Sequence, residues 1–555
     1  MTTVRNAILD LLRAHNLTTF FGNPGSSELA LLQDFPDDFR YFLGLQEMIP
    51  VGMADAYAQI TGRPALVNLH TAPGMGNAQG QLYNAYCNKT PLIVTAGNQR
   101  RNMQNQYCLL TNIEPTTVPR PFVKWAAEPA IASEAPAVLA RAIHLATTPP
   151  MGPVFVSLPM DDMPVELDDA QAADIAVVRE RSVTHATGFP AELAAKICAR
   201  IEEAKSPAFI VGGDVERYGA WEPVVGLAER TQSLVWTAPL TGWSGFPENH
   251  PLSLGTGGIV YTGHGRHFLD HADVVLGIGC SFTPHRITSP SIAPGKKIIH
   301  ATNDARDLYK TYSIDVPILG DAKLVLAQLI EAVRERLGSR TRSRQAAQEI
   351  ARLREEWLET WKPKLTSDER PINPYRVISE FMRAVDPKDA IVTHDSGSPR
   401  DQILPFYTAT HPRGYIGWGK SHQLGTGLGL TIGAKIAAPD KFCVNFMGDA
   451  AFGMTGLDFE TAVRSNVPIL TVVLNNSTMA IEIPHMKLSH EKYRTRDLGG
   501  NYAALARELG GWSERVEDPG EIADAFQRAW RQTEAGRACL LEFITSAETA
   551  FSHRQ

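Results

Sequence analysis

Residues 448–476 read GDAAFGMTGLDFETAVRSNVPILTVVLNN, a segment in which polar side chains follow two apolar runs. Asp449 comes shortly after the run KFCVNFM, and Asn475 and Asn476 follow the run ILTVVL. The intervening GLDFETAVRSN has helical spacing, so the segment predicts a strand, a right-handed crossover helix and a second, parallel strand. Because open α/β sheets bind ligands at the carboxyl ends of their strands, we expect Asp449 and Asn476 to meet at a ligand-binding edge.

The side chains at this edge are typical of a site for a metal ion and a diphosphate. The Asp449 carboxylate, the Asn476 amide oxygen and the Thr478 backbone carbonyl are hard oxygen donors of the kind that bind Mg²⁺ or Ca²⁺. Backbone N–H groups at the start of the following helix are suited to phosphate oxygens. A purely structural alternative is a helix cap at Asp449 and a turn at the two amides. The occurrence of both features at neighbouring strand ends favours the ligand site. The residues expected around the diphosphate are Gly448, Asp449, Ala450, Ala451 and Asn476.

The same alternation of apolar runs and helical stretches extends through the whole chain. Runs of this kind are typical of buried strands in parallel sheets that are covered by helices on both faces. They fall into three groups, so the sequence predicts three doubly wound parallel-sheet α/β domains. Polar or charge-rich stretches near residues 165–188 and 338–373 are expected to be linkers, the second containing a solvated helix. The predicted domains are residues 1–165, 189–337 and 374–545.

Composition excludes several classes of protein. The 555 residues carry a formal net charge of -7, which argues against a nucleic-acid-binding or basic membrane-surface protein. No apolar run approaches the roughly 18 residues that a membrane-spanning helix needs. The first residues lack the pattern of a secretory signal, and the 6 cysteines are scattered without a CxxC pair. We therefore expect a cytoplasmic protein with reduced thiols.

The GD and NN pairs at this spacing resemble the signature of the thiamine-diphosphate enzymes, although Ala450 stands where that signature usually has a glycine after GD. The resemblance implies thiamine diphosphate and Mg²⁺ as cofactors. It also implies a carboxyl group beside the aminopyrimidine ring, which promotes the imino tautomer that removes the proton from C2 of the thiazolium. Glu47 in LQEMIPVGMADAYA matches the family segment for this role. The alternative for Glu47 is an ordinary acid at a helix start.

Further cofactor contacts are implied by the same resemblance. Leu424 in GWGKSHQLGTGLGL matches the apolar side chain that supports the bent cofactor, and the carbonyl of His422 would face the amino group of the pyrimidine. The hydroxyls of Ser396 and Ser398 in THDSGSPRD are candidates for the diphosphate, or they form only a turn. In this interpretation the three domains bind the pyrimidine, form a central unit and bind the diphosphate.

The N-terminal third resembles benzoylformate decarboxylases over residues 15–165, through FGNPGSSELALLQDFPDDFRY, NLHTAPGMGNAQG and PRPFVKW. The resemblance carries two catalytic positions onto Ser26 and His70. Ser26 would open a helix and bind the carboxylate of a 2-oxo acid, and His70 at a strand end would shuttle protons. Their structural alternatives are a helix N-cap and a histidine with satisfied hydrogen bonds.

The rest of the chain resembles other branches of the family. His285 in IGCSFTPHRITSP lies within one residue of the second histidine of benzoylformate decarboxylases. Glu482 has the same spacing from Asn476 as the catalytic glutamate of pyruvate and indolepyruvate decarboxylases. GFPENHPLSLG resembles acetolactate synthases, which carry FAD, but Gly212 and Gly213 alone are a weak FAD signal. FAD is therefore possible but not favoured.

The function that these resemblances imply is decarboxylation of a 2-oxo acid, similar to benzoylformate, to an aldehyde and CO₂, with carboligation as a side activity. Alternatives are an acetolactate-synthase-like carboligase, a 2-hydroxyacyl lyase, or a non-catalytic relative that binds thiamine diphosphate. In the family the cofactor lies between two subunits. A homodimer is therefore the expected minimum, with a homotetramer as the usual assembly.

Overall fold

The fold is known from a computed structural model, which describes residues 2–173, 187–238, 244–256, 263–283, 292–337, 345–417 and 420–552. It contains three parallel sheets of six, six and five strands, which follow one another along the chain. The predicted class of three doubly wound α/β domains is confirmed. Within the described ranges, no helix has the length and apolar character that crossing a membrane requires.

The first sheet has the strand order β2-β1-β3-β4-β6-β5. Its strands are β1 Thr19–Asn23, β2 Arg40–Leu43, β3 Ala65–Leu69, β4 Leu92–Asn98, β5 Ala126–Ala127 and β6 Val154–Pro159. The helices of this domain are α1 Val4–Ala14, α2 Leu29–Leu32, α3 Met48–Thr61, α4 Thr71–Asn77, α5 Gln79–Cys87, α6 Arg101–Gln104 and α7 Ala135–Thr147. Every residue of β3 and β4 is buried, because helices cover both faces of the sheet.

The second sheet has the order β12-β11-β10-β7-β8-β9. Its strands are β7 Pro207–Val211, β8 Leu234–Thr237, β9 Ser253–Thr256, β10 Val274–Ile278, β11 Lys297–Thr302 and β12 Val316–Leu319. The described helices are α8 Ala191–Glu203, α9 Asp214–Arg217, α10 Trp221–Thr231, α11 Gly263–His271 and α12 Ala322–Leu337. A further helix, α13 Gln345–Leu365, lies in the predicted linker. It is less solvated than expected, since Trp361 is buried in the core of the third domain.

The third sheet has the order β13-β14-β15-β17-β16. Its strands are β13 Ala390–His394, β14 Phe442–Gly448, β15 Leu470–Asn475, β16 Trp512–Val516 and β17 Cys539–Ile544. Its helices are α14 Pro374–Ala384, α15 Ser398–Ile403, α16 Thr426–Ala437, α17 Asp449–Thr455, α18 Phe459–Arg464, α19 Lys487–Tyr493, α20 Tyr502–Glu508 and α21 Ile522–Glu534. β14 and β15 pair in parallel with α17 and α18 between them, so the predicted strand–helix–strand unit is present.

Two helices join the first and third domains within one chain. α3 and α16 cross with their backbones in contact, and glycines make this approach possible. A Cβ at Gly429 would lie 2.9 Å from the carbonyl oxygen of Ile49, and one at Gly52 would lie 3.3 Å from the Cα of Gly429. Since the strand before α3 leads to Glu47, this crossing also determines where Glu47 lies relative to the third domain.

Candidate active site

The predicted cofactor residues of the third domain line one cavity at the carboxyl edge of its sheet. The cavity has a volume of about 320 Å³. Eleven predicted residues line it: Ser396, Ser398, His422, Leu424, Gly448, Asp449, Ala450, Ala451, Asn476, Thr478 and Glu482. Strand ends and helix starts that are far apart in the sequence therefore meet around a single space.

Asp449 connects the ends of β14 and β15. Its side chain is buried, one carboxylate oxygen accepts the N–H of Ala450 at 2.8 Å, and the other accepts the N–H of Ser477 at 2.7 Å. Burial raises the pKa of Asp449 to about 6. The Oδ1 of Asn476 accepts the N–H of Thr478 at 3.1 Å, which holds the segment after β15 in a tight turn.

The two consecutive amides have different surroundings. Asn475 is buried, and its Nδ2 donates to Oε1 of Glu542 at 2.7 Å. Asn476 lines the cavity. Ser477 follows with a left-handed backbone at φ 56°, so the chain turns sharply at this point. Asn475 therefore anchors the strand end in the protein, and Asn476 is the amide that faces the space for a ligand.

The cavity wall fits a diphosphate bound with a hard divalent cation. α15 and α17 both begin at the cavity, which places near it the backbone N–H groups of their first turns, which have no partner within the helix itself. Gly397 has φ 88°, and nothing lies within 4 Å of where its Cβ would be, so the backbone is open to a ligand there. Ala450 is helical, so this position does not need glycine. The available donors are oxygens, and the described ranges contain no cluster of His, Cys, Asp and Glu typical of a softer metal.

Asp395 is a functional-site residue that sequence reasoning missed. It follows β13, is fully buried and accepts the N–H groups of Ser396, Gly425 and Gly427 at 2.8, 3.0 and 2.8 Å. Burial raises its pKa to about 6. Through these contacts Asp395 holds Ser396 and the start of α16, which follows Leu424, at one wall of the cavity. The acid after the strand AIVTH was the available signal.

Arg400 was also missed by the sequence analysis. It is the only lysine or arginine among the residues that line the cavity, and its side chain is buried. Its Nε donates to Asp401 at 2.7 Å, and its Nη1 lies 3.2 Å from Nδ1 of His422. His422 has a left-handed backbone at φ 56°, which is uncommon for a residue other than glycine. These contacts place a fixed cation beside the predicted pyrimidine position.

Glu47 lies in the first domain and does not line this cavity in the same chain. β2 ends at Leu43 and α3 begins at Met48, so Glu47 is at the strand-to-helix junction that the sequence predicts. The half-buried side chain accepts a hydrogen bond from Nδ2 of Asn77 at 2.9 Å. The remaining predicted catalytic residues of the first domain likewise lie outside the cavity.

His70 follows β3 and is paired with a buried glutamate that sequence reasoning missed. Nδ1 of His70 lies 2.8 Å from Oε2 of Glu28 and 3.1 Å from Oγ of Ser27. Glu28 also accepts the N–H of Gly97 at 2.6 Å, which fixes its carboxylate. When the carboxylate accepts a hydrogen bond from the N–H at Nδ1, the neutral imidazole has its lone pair at Nε2. The next residue, Thr71, has φ 42°, a strained conformation of the kind found at functional sites.

Ser26 is exposed and lies in a turn, not at the start of a helix as expected. α2 begins at Leu29, because Glu28 turns inward and accepts the N–H of Gly25 at 2.8 Å. The hydroxyl next to His70 in this chain is that of Ser27. His285 lies outside the described residues.

Comparisons with known proteins agree with the three-domain fold. Residues 2–116 match the family model "Thiamine pyrophosphate enzyme, N-terminal TPP binding domain", residues 194–329 the central domain, and residues 395–543 the "C-terminal TPP binding domain". A benzoylformate decarboxylase from Pseudomonas aeruginosa is 35% identical over 484 residues, which cover 86% of this chain and 87% of that protein. A probable acetolactate synthase large subunit from Methanococcus aeolicus is 28% identical, covering 98% and 92%.

Solved structures show the same similarity over the whole chain. The thiamine diphosphate-dependent 4-hydroxybenzoylformate decarboxylase of Rhodococcus jostii superposes with a TM-score of 0.85 at 28% identity, covering 99% of this chain and 100% of that one. Benzoylformate decarboxylase from Polynucleobacter necessarius gives a TM-score of 0.84 at 29% identity, covering 99% of both chains.

Proposed function

This chain belongs to the thiamine pyrophosphate enzyme family, and on that basis we propose that it is a non-oxidative decarboxylase that converts an aromatic 2-oxo acid to an aldehyde and CO₂. Two observations carry the proposal: Glu28 holds His70 by a contact of 2.8 Å in the first domain, and a cavity in the third domain has the donors for a metal diphosphate. The 35% identity to a benzoylformate decarboxylase supports an aromatic substrate.

The cofactor is thiamine diphosphate with Mg²⁺. When bound, it supplies an electron sink that accepts the electron pair released with CO₂. In the proposal, Asp449, Asn476 and the carbonyl of Thr478 bind the metal. Ser396, Ser398 and the backbone from Gly448 to Ala451 bind the diphosphate. Leu424 would pack against the cofactor, and the carbonyl of His422 would accept a hydrogen bond from the amino group of its pyrimidine ring.

The first domain supplies the groups that handle protons and substrate. Glu47 holds a proton at the pyrimidine ring and thereby promotes ionisation of the reactive carbon. Ser26 binds the substrate carboxylate. His70 accepts a proton at Nε2 and later releases it from the same atom, while Glu28 accepts the hydrogen bond from Nδ1 and keeps the ring oriented. Glu482, which lines the cavity, is the proposed second proton relay, and His285 remains a candidate for the same role.

We propose that a complete site needs two chains, because Glu47 and His70 do not line the cavity of their own chain. Exposed apolar side chains lie beside both halves of the site. Met454 and Leu457 follow Asp449 with 56% and 61% exposure, and Leu45 precedes Glu47 with 47% exposure. In the proposed assembly the neighbouring chain covers these side chains. The proposed assembly is a homodimer that pairs into a homotetramer, with domains at residues 1–165, 189–337 and 374–545.

FAD does not fit the described part of the central domain. Asp214 follows β7, and Asp304 and Asp307 follow β11, so carboxylates occupy the carboxyl edge where a dinucleotide would bind. Lys89 of the first domain lies 3.0 Å from Asp307 and 3.4 Å from Asp304. Arg217 and Lys310 also pair with Asp214 and Asp307, so ion pairs within the chain occupy this edge, and no step is assigned to FAD.

An acetolactate-synthase-like carboligase is the second candidate, favoured by the 28% identity that covers 98% of the chain. A 2-hydroxyacyl lyase and a non-catalytic cofactor-binding protein are further alternatives. The test is CO₂ release by the purified protein with thiamine diphosphate and Mg²⁺ from benzoylformate, phenylpyruvate, pyruvate and longer aliphatic 2-oxo acids. Turnover of benzoylformate to benzaldehyde is expected. Acetolactate as the main product from pyruvate would favour the carboligase, and cofactor binding without any turnover would support the non-catalytic relative.

A further inference from the structure

We propose that Asp458 is a positioning residue that holds the segment before Glu47 and so sets the place of this catalytic carboxyl group; this inference rests on the proposed function. Asp458 lies in the third domain, and Glu47 lies in the first domain of the same chain. The contact of Asp458 therefore joins the third domain, which also carries Asp449, to the first domain, which carries Glu47.

The two oxygens of the Asp458 carboxylate accept two consecutive backbone N–H groups. Oδ1 accepts from Leu45 at 2.7 Å, and Oδ2 accepts from Gln46 at 3.1 Å. The hydroxyl of Thr461 donates to Oδ1 at 2.9 Å and fixes the orientation of the carboxylate. The next residue in the chain is Glu47, directly before the first residue of α3. Because two adjacent peptide groups are held, the Cα of Glu47 has little freedom to move.

The environment favours this contact. Asp458 is 1% exposed, so its oxygens depend on protein donors for hydrogen bonds. The N–H groups at and before a helix start have no partners within the helix, and a carboxylate there also interacts favourably with the helix dipole. The charged side chains that follow in α18, Glu460 and Arg464, pair with each other at 2.8 Å.

A second contact holds the same segment from the same helix. Nη2 of Arg464 donates to the carbonyl oxygen of Leu43 at 2.8 Å. From the first domain, Nδ2 of Asn23 donates to the carbonyls of Gly44 and Leu45 at 2.7 and 3.0 Å. The segment between β2 and α3 is thus held from both domains. Its partners in the third domain, Asp458 and Arg464, both lie shortly after Asp449 in the sequence.

This arrangement links two sites in the proposed assembly. Asp449 of a chain binds the metal of one site, whereas Glu47 of that chain completes the site of the neighbouring chain. α17 begins at Asp449, and Asp458 follows shortly after its end. Residues 449–458 therefore connect the metal ligand of one site to the residue that holds the segment before Glu47, which belongs to the other site. A shift of about 1 Å in a catalytic group can reduce the reaction rate by about 10²-fold. Loss of the Asp458 contact should therefore cause a measurable fall in rate.

The test is Asp458→Asn in the full-length protein loaded with thiamine diphosphate and Mg²⁺. The asparagine side chain has one oxygen and one NH₂ group. It can therefore accept only one of the two hydrogen bonds from the N–H groups of Leu45 and Gln46, and its NH₂ group repels the other. The first readout is the rate of hydrogen–deuterium exchange at the reactive ring carbon of the bound cofactor, followed by NMR after acid quench. We expect this rate and kcat to fall by about 10- to 100-fold, with KM and the cofactor Kd unchanged.

Asp273→Asn is the matched control. Asp273 also accepts two consecutive backbone N–H groups, from Lys205 at 2.6 Å and from Ser206 at 3.0 Å, but it lies in the central domain. In the Asp273→Asn variant, hydrogen–deuterium exchange at the ring carbon of the cofactor should be as fast as in the wild type. A loss as large as that of Asp458→Asn would show a general effect of this substitution on the fold and would overturn the inference.

A double variant separates positioning from structural damage. If Asp458 acts through Glu47, the exchange rate of Glu47→Gln with Asp458→Asn should equal that of Glu47→Gln alone. Independent losses in the double variant would overturn the inference. If Asp458→Asn does not fold, Thr461→Val removes one hydrogen bond to the carboxylate and should lower exchange to a lesser degree, again only when Glu47 is present. Wild-type exchange no faster than in free cofactor would contradict the proposed function itself. Fast exchange in the wild type and also in Asp458→Asn and Thr461→Val would contradict only the role of Asp458.

Discussion

Oε2 of Glu28 lies 2.8 Å from Nδ1 of His70, and Glu28 is 2% exposed. This contact fixes the ring so that Nε2 is the nitrogen available for proton transfer. Glu28→Gln should therefore lower kcat by about 10- to 100-fold, the rate equivalent of one hydrogen bond to a charged group at roughly 1.5–3 kcal/mol. The measurement is steady-state decarboxylation, with circular dichroism to check the fold. A kcat equal to that of the wild type would show that Glu28 does not orient His70.

Glu47→Gln should leave the fold intact and reduce turnover by about 10²-fold or more, since it removes the group that exchanges a proton with the pyrimidine ring. Glutamine keeps the size of the side chain and an oxygen for the hydrogen bond from Asn77. The decisive comparison is kcat at saturating cofactor together with the cofactor Kd. Turnover close to that of the wild type would remove Glu47 from the mechanism.

Asp449→Ala should weaken cofactor retention that depends on Mg²⁺, because the variant loses the carboxylate that joins the ends of β14 and β15. Equilibrium dialysis of thiamine diphosphate, with and without a chelator, measures the effect. The wild type should release cofactor in chelator, and the variant should bind it weakly in both conditions. Equal retention by the wild type with and without chelator would contradict the metal assignment.

Gly433→Ala should destabilise the chain, because a Cβ there would overlap the carbonyl oxygen of Met53 where α16 crosses α3. Backbone shifts forced in a packed interior cost typically about 1–3 kcal/mol. Gly226→Ala in α10 is the matched control, since nothing lies within 4 Å of its Cβ position. It should stabilise by roughly 0.5–1 kcal/mol, as expected for alanine in place of glycine in a helix. Thermal unfolding midpoints compare the two, and a stable Gly433→Ala would show that the helices can separate without cost.

Glu216 should make the stability of the protein fall as pH rises. It accepts the N–H of Arg413 at 3.0 Å between the second and third domains, and burial raises its pKa to about 8 from 4.5. The folded state therefore binds more protons than the unfolded state between these values, so the free energy of unfolding decreases with pH across that window. Arg413 and Arg217 partly favour the charged form, and Glu248 opposes it.

Glu216→Gln removes this titration. Between pH 6 and 8, the unfolding temperature of the variant should fall less steeply with pH than that of the wild type. This range lies above the raised pKa values of Asp449 and Asp395, both about 6, so these two groups contribute little to the slope. Parallel curves for the two proteins over this range would show that Glu216 does not titrate in the folded state.

Much of the fold could be predicted because it depends on local pattern. The apolar runs KFCVNFM and ILTVVL are strands β14 and β15, whereas β12 Val316–Leu319 and β16 Trp512–Val516 have exposed or partly exposed positions that interrupt the apolar pattern. The cavity was predictable for a related reason. Parallel strands end at one edge of their sheet, so the spacing of Asp449 and Asn476 places them together whatever the details of packing.

The sequence by itself thus determined the three parallel sheets, the edge at which the metal-diphosphate residues gather, and the junction at which Glu47 lies. Only the tertiary structure decided which side chains meet across long separations: Glu28 with His70, Asp395 with the start of α16, and Asp458 with the segment before Glu47. The reason is physical. Burial periodicity is encoded in neighbouring residues, whereas a hydrogen bond between residues 412 or 413 positions apart exists only after helices from two domains have packed.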